Sequence, residues 1–133
     1  MKLMLWEDSF QALELRGKGT LKFLQGQTSV DILNSKKNIP IKACWLSTSG
    51  KVRAILEILL TNDSAKICVI RGDSKEIYEG FNKVIFPSDE VEINPIKQIR
   101  RVQIMDYKIS WKESQVVWLN DEEGLPEAFS NFI

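Results

Sequence analysis

The 133-residue sequence contains no histidine. Histidine is the usual general base of Ser-His-Asp and Cys-His catalysis, so neither kind of active site is expected here. A common zinc site needs histidines or closely paired cysteines, and the two cysteines, Cys44 and Cys68, stand far apart. We therefore expect no bound metal, and we interpret both cysteines as reduced, buried thiols of an intracellular protein rather than as a disulfide.

The sequence also lacks an excess of either charge, since Lys and Arg total 18 and Asp and Glu total 18. Binding to nucleic acid irrespective of sequence depends on a basic surface that neutralises phosphates, so we expect no direct nucleic-acid partner. Long apolar runs are missing as well, because the longest, Ile55–Leu60, is short and contains Glu57. The N-terminal segment MKLMLWEDSF is too short for a secretory signal. We expect a cytoplasmic protein with no membrane association.

The composition, with 44% apolar and 27% charged residues, is typical of a globular domain with a real core. Alternation at residues 11–15 predicts a first strand, and Thr20 is predicted to cap a short helix. That helix is expected to stop at Gln25–Thr28, which we call the polar segment, before a second turn at residues 29–33. Two glutamines flanking a glycine between apolar helical pieces are unusual for a simple surface loop.

The remaining elements follow from hydrophobic periodicity and turn signals. A second helix is predicted to begin after Asp73 and to end before Pro87, burying a stripe of Ile77, Phe81, Val84 and Ile85. Ser49-Gly50 marks a hairpin, and Asn94-Pro95 marks a turn. Further strands are predicted at residues 41–46, 52–60, 65–70, 90–93, 99–105 and 115–119.

This order predicts an α+β fold with two layers, in which helices cover one face of a mainly antiparallel, ferredoxin-like sheet. We place one domain at residues 1–105, and residues 106–133 form a C-terminal extension or the start of a following domain. The sequence ends on Phe132-Ile133 without a polar tail, which suggests a truncated piece of a longer protein.

Three stretches of the sequence carry a family resemblance. They read LRGKGTLKFLQGQTSVDI, LSTSGKVRAILEILL and FNKVIFPSDEVEI, and the similarity spans about residues 8 to 95. They resemble the folate-binding proteins of the YgfZ type, within the superfamily of the glycine-cleavage T-protein, an aminomethyltransferase. The word Leu24-Gln25-Gly26-Gln27 is typical of the YgfZ branch. The resemblance implies that residues 1–105 are the N-terminal folate-binding domain of such a protein.

The resemblance also implies a ligand and a set of binding residues. Tetrahydrofolate would lie in a cavity that this domain builds together with later ones. Phe10 would stack on a folate ring, Gln25 and Gln27 would face the cavity, and Lys51 and Arg53 would pair with the glutamate carboxylates. Without the resemblance, plainer roles are open. Phe10 could pack in the core, the two glutamines could hydrogen-bond the exposed groups at the helix end, and Lys51 and Arg53 could be solvated residues beside the hairpin.

The function that the resemblance implies is folate-dependent assistance to iron–sulfur enzymes, with effects on tRNA modification. Iron–sulfur enzymes would be partners, and the chain could also form a homodimer. We expect no catalytic residue in this chain, because the family's segment Lys-Gly-Cys-Tyr-x-Gly-Gln-Glu has no counterpart, and Ala54 and Ile55 replace the acidic pair of the aminomethyltransferases. Two alternatives remain: a fragment of a one-carbon transfer enzyme related to the aminomethyltransferases, and an interaction or assembly domain that binds no folate.

Overall fold

A computed structural model of the chain describes residues 3–106 and 115–119. These residues form the following elements in chain order: β1 (Leu3–Arg16), α1 (Thr20–Gln27), β2 (Ile41–Leu46), β3 (Val52–Leu60), β4 (Ser64–Arg71), α2 (Ser74–Val84), a 3-10 turn (Pro87–Asp89), β5 (Glu92–Asp106) and β6 (Gln115–Leu119). The strand order is β2-β3-β4-β1-β5-β6, and the registered pairs are antiparallel. The predicted α+β class is confirmed.

The chain divides into two compact units. The larger unit, residues 11–97, holds both helices, β2, β3 and β4. The smaller unit combines residues 1–10 with residues from 98 onward, and in it β5 pairs with β6 from Arg100 opposite Leu119 to Ile104 opposite Gln115. The predicted domain boundary after residue 105 stays a prediction.

The core of the larger unit follows from alternation along β3. Ala54, Leu56, Ile58 and Leu60 are buried, and they meet the buried face of β4 and the apolar stripes of the helices. Burial of this apolar surface is the main favourable term in folding. The opposite face of β3 is covered at its centre too, because Glu57 is 3% exposed and its register partner Cys68 is fully buried.

Both helices lie on the same face of the sheet. The rings of Phe23 in α1 and Phe81 in α2 meet edge to face with centroids 5.4 Å apart. Phe81 also meets Trp45 of β2 edge to face at 5.5 Å. One aromatic contact chain therefore joins the two helices to the sheet, and the prediction of helices on one face is confirmed.

Helix α2 begins where its sequence predicts. The Asp73 carboxylate accepts a hydrogen bond from the Lys75 N–H at 2.9 Å, and Glu76 lies in the first turn. Ile77 and Phe81 are buried as expected, but Val84 is 42% exposed because it is the last helical residue. The prediction that Val84 belongs to the buried stripe of this helix was wrong.

Two strands are longer than the sequence pattern indicates. β1 starts at Leu3 instead of residue 11, and β5 runs from Glu92 to Asp106 through Asn94-Pro95, where we predicted a turn. A proline can remain in a strand at a position where no N–H is needed by a neighbouring strand.

No helix among the described residues is long and apolar enough to cross a membrane.

Candidate functional site

The turn before α1 is shaped by close contact between two backbone segments. Gly17 has φ +124°, and Gly19 donates its N–H to the Glu90 carbonyl at 3.2 Å. A Cβ on Gly19 would lie 1.7 Å from the Asp89 carbonyl oxygen. Gly19, not Thr20, is the N-cap of α1, and Thr20 is the first helical residue and fully buried. The predicted Thr20 cap was wrong because the packed glycine turn places that residue one position inside the helix.

A groove of about 350 Å³ lies beside this turn. Its lining includes Lys18, Lys22 and Phe23 on the α1 side, and Asp89 and Glu90 across from them. The groove carries both charge signs and contains none of the five residues that the sequence marks as candidates. In the part of the chain that the structure describes, no group of three or more His, Cys, Asp or Glu residues could hold a metal ion.

The polar segment forms the last turn of α1 instead of following it. Helix α1 extends to Gln27, and Thr28 closes it with its N–H and its hydroxyl, which both donate to the Leu24 carbonyl at 3.0 and 2.9 Å. Gln25 Oε1 accepts a hydrogen bond from the Leu33 N–H at 3.0 Å. Residues 29–33, predicted as a second helical turn, form no regular helix. The Gln25 amide therefore fixes the loop that leaves the helix.

The residues after the polar segment pair with β2. Thr28 forms an isolated antiparallel bridge with Trp45. Ser29 donates its N–H to the Cys44 carbonyl at 3.0 Å, and its hydroxyl accepts from the Cys44 N–H at 2.9 Å. The end of α1 is thereby held against β2 by three short contacts, which places Gln27 next to the strand that carries Trp45.

Trp45 is the centre of a group that we call the Trp45 cluster: Trp45, Arg53, Glu76 and Phe81. The indole is 3% exposed. The Arg53 guanidinium carbon lies 3.8 Å from the ring centroid, within the range of a cation–π contact. Arg53 Nη2 also forms an ion pair with Glu76 Oε1 at 2.8 Å. The burial of the Trp45 ring is typical of a side chain with a packing role.

The structure brings some of the sequence candidates together and separates others. Gln27 precedes Thr28, which forms a backbone bridge with Trp45, and Arg53 stacks on the Trp45 ring. Lys51 is exposed at the hairpin, where its backbone bonds to Ser47. Phe10 is half-buried and belongs to the smaller unit. Among the described residues, no hydrogen bond or ion pair joins two of these candidates.

Sequence reasoning missed the role of Glu76 at this site. The spacing from Asp73 to Glu76 predicts only a capping box at the start of α2, and Glu76 does lie in the first turn of that helix. Its bond to Arg53 joins residues 23 positions apart, and neither residue's local pattern carries a signal for the pairing. Only the packing of α2 over β2 and β3 places the two side chains together.

Replacing Gln25 with alanine is expected to lower the free energy of unfolding by about 1 kcal/mol. The change removes the acceptor for the Leu33 N–H, and a typical intramolecular hydrogen bond contributes roughly that much. Gln27→Ala is the matched control, because Gln27 makes no side-chain hydrogen bond within residues 3–106 and 115–119. Urea unfolding of both variants measures the difference, and equal losses would contradict the role assigned to Gln25.

Comparison with known proteins places the fold. No family model and no curated protein matches the sequence. Among solved structures, the chain resembles the glycine cleavage system aminomethyltransferase T from Bartonella henselae, with a TM-score of 0.64 and 14% sequence identity. The alignment covers 77% of this chain and 28% of that chain. At this identity the likeness shows a shared fold: this chain is built like a part of that larger aminomethyltransferase.

Proposed function

We propose that this chain supplies one wall of a tetrahydrofolate-binding cavity in a YgfZ-type protein. The observation that carries the proposal is the fold likeness to an aminomethyltransferase T protein, because the sequence resemblance to that superfamily implies folate binding. The Leu-Gln-Gly-Gln word adds to it, because its glutamines lie at the end of α1 beside β2 and the Trp45 cluster. An ordered polar turn beside an aromatic group fits a wall of a ligand cavity.

The proposed division of labour follows the chemistry of folate. Phe10 offers an aromatic ring for stacking, and the two glutamines offer amide donors and acceptors for the polar edge of the pterin. Lys51 and Arg53 are the cations for the glutamate carboxylates, and Arg53 is suited to bidentate pairing. Arg53 uses Nη2 for Glu76, and its Nε and Nη1 make no hydrogen bond with the described residues. Both planar forks of a guanidinium include Nη2, so a ligand carboxylate that binds in a fork has to share that nitrogen with Glu76 or displace it.

Binding without catalysis by this chain fits the environment of Ala54. Ala54 is 3% exposed, and a Cβ on Gly72 would lie 2.8 Å from the Ala54 Cβ. The backbone after β4 thus closes over this position, and an aspartate here would need that backbone to move. In the aminomethyltransferases a carboxylate near the folate nitrogens would assist the chemistry. The role that we propose is the one that the sequence resemblance implies: folate-dependent support of iron–sulfur enzymes, with a consequent effect on tRNA modification, by a cytoplasmic protein.

One alternative function is favoured by a specific observation. The structural likeness is to an aminomethyltransferase, so a one-carbon transfer activity of the complete protein is the second candidate. Formation of methylenetetrahydrofolate from an aminomethylated carrier distinguishes the two: production of it would favour transfer, and folate binding without it would favour the supporting role. If no folate binds, the remaining hypothesis is an assembly domain without folate, which acts as a homodimer or with an iron–sulfur enzyme.

The complete protein that carries this chain is expected to bind tetrahydrofolate in calorimetric titration. Phe10→Ala should weaken binding about fivefold or more, because an aromatic stacking contact contributes about 0.5–1.5 kcal/mol beyond area burial. Phe86→Ala is the control, since Phe86 is 62% exposed and has no proposed ligand contact. The absence of binding heat at excess tetrahydrofolate would refute the proposed function. Unchanged affinity in Phe10→Ala would remove only Phe10 from the site.

A further inference from the structure

We propose that Glu76 is a specificity-determining residue of this site, because its carboxylate competes with a ligand carboxylate for Arg53. The inference rests on the proposed function and adds a residue and a mechanism to it. It follows from three features of the Trp45 cluster: how Arg53 is oriented, how loosely Glu76 is held, and where the negative charge of Glu76 lies.

Arg53 is oriented by a buried ring as well as by Glu76. Its guanidinium lies 3.8 Å from the centroid of Trp45, and that indole is nearly inaccessible to solvent. The ring is held in turn by Phe81, and by Gly80, whose absent Cβ would lie 2.6 Å from two indole carbons. A guanidinium stacked on such a fixed surface keeps its plane when its ion-pair partner leaves. Arg53 is therefore preorganised for a carboxylate without Glu76.

The Arg53–Glu76 ion pair is easily broken. The Arg53 and Glu76 side chains are 36% and 55% exposed, and a single nitrogen, Nη2, forms the contact at 2.8 Å. Exposed pairs of this kind contribute little because solvent screens the charges and two side chains must be ordered. A ligand carboxylate that binds in the planar fork of the guanidinium can use two donors at once, whereas Glu76 uses one. Exchange of Glu76 for the ligand is therefore favourable in geometry.

Glu76 remains negatively charged beside the incoming ligand. It lies in the first turn of α2, where the helix dipole favours a carboxylate. A ligand carboxylate bound to Arg53 would lie close to the Glu76 carboxylate, and two like charges close together repel each other. Glu76 thus imposes a penalty on any ligand anchored at Arg53 by a carboxylate, and it imposes none on a ligand of the same shape without that charge. Its effect is a filter on ligand charge.

The test compares Glu76→Gln with Glu79→Gln in the complete protein. Glu79 is an exposed glutamate of the same helix, and it makes no ion pair within the part of the chain that is described. The two ligands are tetrahydrofolate and its diamide, in which both glutamate carboxylates are neutral amides. Calorimetry should show that Glu76→Gln binds tetrahydrofolate about 2–5-fold more tightly than the parent, the size that an exposed ion pair allows. Diamide affinity should stay within error, and Glu79→Gln should match the parent for both ligands.

A double variant assigns the effect to Arg53. In an Arg53→Met background, Glu76→Gln should no longer tighten tetrahydrofolate binding, because the group for which the two carboxylates compete is gone. Unchanged or weaker tetrahydrofolate binding in Glu76→Gln would overturn the inference, as would equal tightening of the diamide or equal tightening in Glu79→Gln. Those results leave folate binding by the parent intact. A parent that binds no tetrahydrofolate refutes the proposed function itself, and the inference falls with it.

Discussion

Phe81→Ala is expected to lower the free energy of unfolding by about 3–5 kcal/mol. The ring is fully buried, and it makes edge-to-face contacts with Phe23 at 5.4 Å and with Trp45 at 5.5 Å. Its removal leaves a cavity at the point where both helices meet the sheet, and neither neighbouring ring can fill it while keeping its own contacts. Since small domains are stable by only about 5–15 kcal/mol, this change removes much of the total.

Phe86→Ala is the matched control for this measurement. The two phenylalanines are close in sequence, but Phe86 is 62% exposed and lies beyond the end of α2. Its replacement should change stability by less than about 0.5 kcal/mol. Urea unfolding followed by circular dichroism measures both, and Phe81→Ala should also melt at least about 10 °C lower. A loss below about 1.5 kcal/mol in Phe81→Ala would mean that the aromatic contact chain does not hold the helices.

Gly19→Ala is expected to destabilise the protein by about 3 kcal/mol or more. The new Cβ would lie 1.7 Å from the Asp89 carbonyl oxygen. This backbone segment is also held in place, because Gly19 donates its N–H to the neighbouring Glu90 carbonyl. Overpacking of this kind typically costs about 1–3 kcal/mol, and more when the neighbour cannot move. The helix start and the 3-10 turn must separate to admit one methyl group, so the groove beside them should change shape as well.

Two other glycines separate steric contact from backbone conformation. Gly50 has φ +82° but open space around it, so Gly50→Ala should cost only about 1–2 kcal/mol of conformational strain. Gly26 lies inside α1 with open space around it, and Gly26→Ala should stabilise the protein by about 0.5–1 kcal/mol. Urea unfolding should rank the three variants in this order. A Gly19→Ala variant as stable as Gly50→Ala would show that the two backbone segments separate at low cost.

The elements that the sequence predicted well are those whose local signals agree with their packing. The apolar alternation of β3 predicts its buried residues Ala54, Leu56, Ile58 and Leu60, and α2 has its cap, its acidic first turn and two buried residues of the predicted stripe, Ile77 and Phe81. The errors arose where tertiary contacts outweigh a local signal. Thr20 has the chemistry of a cap, but the packed Gly17–Gly19 turn puts it inside the helix. Asn94-Pro95 reads as a turn, yet β5 passes through it.

The candidate site was accessible from sequence only in part, and for a physical reason. The polar segment could be recognised as unusual because its composition is local, and its place beside β2 then follows from hydrogen bonds to Cys44. The pairing of Arg53 with Glu76 and its stacking on Trp45 depend on where α2 crosses the sheet. Such contacts between distant residues have no signature in a single sequence. The fold itself is supported independently by the likeness to the aminomethyltransferase.

The tether between Ser29 and Cys44 has a consequence for solubility. β2 is the outermost strand of the described sheet, and an outer strand offers unpaired N–H and C=O groups to any other extended chain. The bonds from Ser29 and the bridge from Thr28 occupy that rim at Cys44 and Trp45, in the most apolar part of the strand. Release of the end of α1 would expose the backbone edge of β2 around Trp45. A second chain could then add a strand to that edge and begin aggregation. We therefore expect the pairing of Thr28 and Ser29 with β2 to oppose self-association through this edge.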